Sequence, residues 1–200
     1  MTPRVIVCLL AGSLFLAGTA DATFMDKRVR KGGFGIKGGL IGQTTVSVDN
    51  HHYNNRVAVS GGVFFELPLI HPLMLGISGD IYNISFQGLE DNEPFLDIGI
   101  GPKYLAVMEA AGIVLKPGFN LGFGYLGPVA PRKDSLGVTR YRIDATSYMT
   151  WRISTEALFL TRMRHAYLLE LALVGTAFGG NADVDVTTNP VFLLRVGIMY

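Results

Sequence analysis

Past residue 22 this sequence contains no cysteine; the single one it has, Cys8, lies in the first apolar stretch. A disulfide framework is therefore excluded as the source of stability. Charge is sparse as well. Lys, Arg, Asp and Glu make up 16% of the 200 residues, below the quarter usual in soluble domains, and the net charge is +1. A chain so close to neutral carries no electrostatic footprint for nucleic acid, and none is expected as a partner. Beyond residue 22 no run of about 18 apolar residues occurs, which rules out a bundle of membrane-spanning helices. What is present is an apolar content of 49%, dispersed along the chain, and 25 glycines. Two architectures remain: an exported soluble domain, or a closed β-barrel whose backbone satisfies itself within a bilayer.

The amino terminus, "MTPRVIVCLLAGSLFLAGTADA", sets one Arg before an apolar core from Val5 to Leu16, with small residues before Asp21. This is the layout of a secretory signal peptide over residues 1–22, cleaved after Ala20 or Ala22. An anchoring helix is the alternative, but the core falls short of the ~20 residues a span needs. Cys8 sits too early to be the lipidated residue of a lipoprotein signal. The basic "DKRVRKGG" that follows marks a short periplasmic segment at 23–32, suited to lipid head groups or disorder rather than to nucleic acid.

From residue 33 to residue 200 the dominant signal is alternation at period two, which is a strand with two different faces. It predicts eight strands: 33–46, 57–67, 73–86, 95–107, 113–127, 141–153, 165–178 and the closing "PVFLLRVGIMY". One face collects Ile36, Leu40, Val63, Phe65, Ile77, Ile98, Leu121, Trp151, Leu171 and Val196, and carries no charge on any strand. The other carries six bases (Lys37, Lys103, Lys116, Arg142, Arg152, Arg195) and five acids (Glu66, Asp80, Asp97, Asp144, Glu170), among Gly, Ser, Thr and Tyr.

These charges decide the orientation. A soluble barrel of the lipocalin kind shows its charged face to water, densely set with Lys and Glu. A small, near-balanced set fits instead a narrow interior where opposite charges pair, because unpaired buried charge is costly. The apolar face then meets lipid.

Connections also alternate in character. Polar "DNHHYNNR", "GLEDNE", "GPVAPRKDSLGVT" and "GNADVDVTTN" are expected outside, with "LPLIHP", "MEAAG" and "STEALFLTRMR" on the periplasmic side. The last is long for a periplasmic turn, so it either protrudes or hides further strand. Aromatics near strand ends, among them Phe34, Tyr104, Tyr125, Tyr141, Tyr167 and Tyr200, suit interfacial girdles. Pro102 and Pro117 fall inside predicted strands, where each removes a ladder donor, and a bulge or loosened pairing is expected there.

Strand count, alternation and the terminal "FLLRVGIMY" together resemble the small eight-stranded outer-membrane β-barrels of the outer-membrane protein A and X type. The resemblance covers about 33–200 and implies an all-β, eight-stranded, antiparallel up-and-down transmembrane barrel in the bacterial outer membrane. It also implies that Phe192, Leu194, Val196, Ile198 and Tyr200 form the signal read by the barrel-assembly machinery. It names an architecture and not an activity.

Candidate chemistry is thin. "GFGIKGG" and "GFNLGFG" have the glycine spacing of nucleotide loops, but neither opens a helix after a strand. His51 and His52 with Asp49 are read as wet loop residues rather than metal ligands, since neighbours in a strand point to opposite sides. His165, Glu170 and Ser154 raise the idea of a lipid-modifying hydrolase, but no His–Ser pair appears in strand context. The expected role is structural or surface-interacting, without cofactor or metal, in a monomer whose partners are outer-membrane lipids and the assembly machinery. A small-solute pore is the main alternative, although eight strands leave little lumen.

Overall fold

The computed structural model describes residues 31–43, 45–48, 51–54, 57–85, 92–108, 113–127, 145–161, 165–181 and 184–200. Within them run twelve strands: β1 (Gly33–Ile41), β2 (Thr45–Val48), β3 (His51–Asn54), β4 (Ala58–Pro68), β5 (Leu73–Ser85), β6 (Asn92–Tyr104), β7 (Ala106–Met108), β8 (Ile113–Leu126), β9 (Thr146–Leu160), β10 (Ala166–Asn181), β11 (Val184–Thr188) and β12 (Val191–Met199). Eight of them, β1, β4, β5, β6, β8, β9, β10 and β12, pair antiparallel with their neighbours. The ring closes where Gly35 to Ile41 of β1 meet Met199 to Leu193 of β12. Closure leaves no open edge in the wall, the condition for strands to cross lipid.

The faces follow from alternation. Outward lie Phe34, Ile36, Val63, Phe65, Ile98, Leu121, Phe123, Leu171 and Val196, all exposed, and among the wall side chains described no exposed one is charged. A wall of this kind is stable only against hydrocarbon. The turn at residues 69–72 is short and lies at the same end as Gly33 and Tyr200. Short turns mark the periplasmic side.

At the opposite end, among the described residues, the wall continues upward beyond β10. β10 hands over from β12 to β11, β11 pairs with β2, and β2 pairs with β3. Here the structure corrects the sequence reading. The first strand stops at Ile41 instead of running to residue 46, and Thr45–Val48 is a separate strand. The break lies opposite Asn189 and Pro190, and Pro190 has no N–H to donate. It is bridged by Gly42 N donating to Phe192 O at 2.8 Å and by Asn189 N donating to Thr45 O at 3.3 Å. "DNHHYNNR" and "GNADVDVTTN", expected as loops, contain β3 and β11.

A second correction concerns "STEALFLTRMR". β9 runs on to Leu160, so most of this expected turn is wall, with Ser154, Glu156 and Leu158 buried inside and Phe159 outside. The described strand starts at Thr146, and the expected start at residue 141 lies outside the described residues. Arg142 and Asp144 lie outside the described residues. Both interior prolines fall on the seam between β6 and β8. The ladder lapses at Gly101 and Pro102 between Ile100↔Leu121 and Lys103↔Gly118, and β7 resumes it with Ala106↔Leu115. Pairing is loosened there and no bulge forms.

Candidate functional site

The interior is layered. At the outer end Ile41, Tyr82, Phe95, Leu126, Tyr148 and Leu193 pack into one apolar cluster. At the periplasmic end Phe64, Met74, Leu105, Val114, Leu158 and Met199 pack into another. Apolar end layers were not expected from a face read as Gly, Ser, Thr and Tyr. They arise because inward positions near both strand ends are filled by Leu, Phe, Met and Val.

Between the layers lie ten buried ionised residues: Lys37, Lys103, Lys116, Arg152 and Arg195, with Glu66, Asp80, Asp97, Glu156 and Glu170. Each reaches the lumen because its strand alternates, and six of them (Lys37, Glu66, Asp80, Asp97, Lys103 and Arg195) are opposed across a ladder by a glycine that leaves room. Gly62, for instance, faces Asp80 across the β4–β5 ladder, and a Cβ there would strike the Asp80 carboxylate.

The ten form one chain of alternating sign. Lys116 Nζ donates to Glu66, whose other oxygen accepts from Lys103 Nζ at 2.8 Å. Lys103 Nζ also lies 2.7 Å from both oxygens of Glu156. Lys37 stands next, 4.0 Å from Glu156 and 3.3 Å from Glu170. Arg195, with no exposed surface, donates from Nε and Nη2 to Glu170 at 2.8 and 3.0 Å and from Nη1 to Asp80. Arg152 Nη2 lies 2.6 Å from Asp80 and 3.2 Å from Asp97. Neutral groups add to the coordination, although Arg152 Nε makes no hydrogen bond. Tyr82 OH accepts from Arg152 at 2.6 Å, Ser78 Oγ at 3.3 Å, and Thr150 Oγ1 donates to Asp97 at 2.8 Å. The Phe64 ring lies under Lys37 and Lys103 at 5.3 and 5.5 Å, adding cation–π attraction.

Nine of the eleven charged positions named from sequence thus lie together in the lumen; the other two, Arg142 and Asp144, fall outside the described residues. Glu156 was missed, and it is the link between Lys103 and Lys37. The chemistry available is charge neutralisation. Each of the five described lumen bases is held by acids. Ser154 is buried on the inner face, while His165 sits at the periplasmic rim against Tyr167 and Tyr200, with ring centroids 5.4 and 6.3 Å away. Among the described residues no group of three His, Cys, Asp or Glu could hold a metal ion. The side chains of His51 and His52 are not among those described.

The closing strand turns Phe192, Leu194, Val196 and Tyr200 outward, and Tyr200 stacks on Phe34 at 5.5 Å across the seam. Ile198 shares their face, opposite Ile36 and Tyr167.

A closed eight-strand wall with a lipid-facing apolar surface and a packed, neutralised interior defines a small transmembrane β-barrel of the outer-membrane type, and this architecture assigns the chain to the bacterial outer membrane. A solved structure agrees on the fold. Neisserial surface protein A is similar with a TM-score of 0.53 at 10% identity, over 83% of this chain and 95% of that one. The attachment invasion locus protein Ail of Yersinia pestis gives 0.46 at 12% identity, over 85% and 99%. The outer membrane protein OprG of Pseudomonas aeruginosa gives 0.46 at 13% identity, over 86% and 96%. No protein-family model and no curated protein sequence matches the chain.

Proposed function

We propose that the chain is a monomeric, non-conducting outer-membrane barrel. Its role is structural, and it carries the β10–β11–β2–β3 extension on its outer side as a surface for interaction. One observation carries this reading: the lumen is filled by an alternating ion-pair chain and closed at both ends by apolar packing. Water has no continuous polar path through such an interior. Ion-pair networks in this position hold the wall together, since removing one partner strands the other in a low-dielectric interior.

Within the same reading, residues 1–22 direct export and Phe192, Leu194, Val196, Ile198 and Tyr200 present the assembly signal. The barrel is not an enzyme. Planar-bilayer recording of the purified protein is the test. No unitary conductance is expected at either polarity; reproducible steps would replace this reading with a solute pore. Mass spectrometry of lipid A from expressing cells should show no new species, whereas a deacylated product would establish a hydrolase.

A further inference from the structure

The turn between β4 and β5 does not look like a periplasmic turn in water. From Leu67 to Leu75 the sequence reads "LPLIHPLML", without one charged residue. Leu67, Leu69, Ile70 and Leu73 are all exposed, Ile70 at 80%. The turn is nevertheless closed by backbone hydrogen bonds. Leu73 N donates to Ile70 O at 2.6 Å, Leu69 N to Leu73 O at 3.1 Å, and Leu105 N reaches across from the end of β6 to Pro72 O at 2.8 Å. A turn closed in this way presents its apolar tip without paying to order it on contact.

The tip continues the lipid face. Val57, Val59, Val63, Phe65, Leu67 and Leu69 form one outward column on β4 and the residues flanking it. Twelve steps at about 3.3 Å, tilted ~40°, span about 30 Å, more than the ~25 Å apolar band of such barrels. Phe65 pairs with Phe34, and Phe34 stacks on Tyr200, so these rings mark the periplasmic interface. Leu69 and Ile70 lie about 10 Å past it along the tilted strand, where the headgroup layer extends.

We propose that the 69–72 turn is a membrane anchor, with Leu69 and Ile70 immersed among the phospholipids of the periplasmic leaflet and the barrel seated deeper on its β4–β5 side. The occupant is lipid because the patch is continuous with the lipid face, carries no charge, and ends in side chains too small and flexible to need a shaped pocket.

The experiment uses the protein purified from outer membranes, with Cys8→Ser so that Ile70→Cys supplies the one thiol for a nitroxide. It is reconstituted in vesicles of phosphatidylethanolamine and phosphatidylglycerol, with folding checked by heat-modifiable mobility. Collisions with oxygen are expected to exceed those with a water-soluble nickel chelate, giving a depth between those of Phe65→Cys and bulk water. The same labelling at Leu69→Cys covers the case in which the first variant does not fold. Nickel-dominated collisions at both positions would leave the turn in water, where a periplasmic protein could use it, and would overturn the lipid anchor.

Discussion

Glu156 shows what one side chain does in this lumen. Its carboxylate holds Lys103 with both oxygens and is the near neighbour of Lys37, so it joins the Glu66 half of the ion-pair chain to the Arg195 half. Glu156→Gln leaves two buried ammonium groups short of a counter-charge. A loss of about 3–5 kcal/mol is expected by urea unfolding in lipid, and pairing it with Lys103→Met should recover part of that loss. A strictly additive double variant would show that the two do not interact. At this scale the sequence is legible wherever a charge interrupts an otherwise apolar alternation, as at Asp97 in "FLDIGI" or Glu170 in "LLELAL". Glu156 escaped because it precedes "ALFL", where Leu158 inside and Phe159 outside are both apolar and the alternation disappears. The physical cause is the apolar end layer itself: once the lumen is lined by Leu, a strand has no polar face to reveal it.

Strands were legible in their middles and not in their ends. The central ladders of β4, β5, β8 and β12 lie where period two places them, since one face meets lipid and the other meets charge. Above the membrane both faces can be polar, so β3 in "DNHHYNNR" and β11 in "GNADVDVTTN" carry no such contrast. The faces themselves can be tested on β8. Leu121 points outward at mid-strand, and Leu121→Arg should cost about 2–4 kcal/mol in vesicle refolding, as a charge near the bilayer centre does. A cost near zero would mean that this face meets water. β12 makes a different kind of prediction. Removing Tyr200 deletes one stacked ring, worth about 1–3 kcal/mol, yet it should sharply lower the amount of protein assembled in outer membranes. Unchanged membrane levels in fractionated cells would show that the terminal pattern is packing alone.

At the scale of the whole molecule, the described wall is a closed cylinder with unlike ends. The described turn at 69–72 is short, while among the described residues the outer end rises through β11, β2 and β3. Because the wall closes on itself, its eight strands offer no edge for pairing with another copy, and sedimentation in detergent should give the mass of one chain. A stable dimer would point to the outer extension as the contact. One feature of the wall has a practical use. Trp151, the single tryptophan of the chain, lies half-exposed on the lipid side with its indole against Gly175, where a Cβ would come within 2.7 Å of Cζ2. That glycine gives the ring a flat seat on the neighbouring strand, a seat that exists only once β9 and β10 are in register. The chain thus contains its own fluorophore at the boundary between protein and hydrocarbon, and its emission should move to shorter wavelength as the wall closes in lipid, timing insertion without an attached dye.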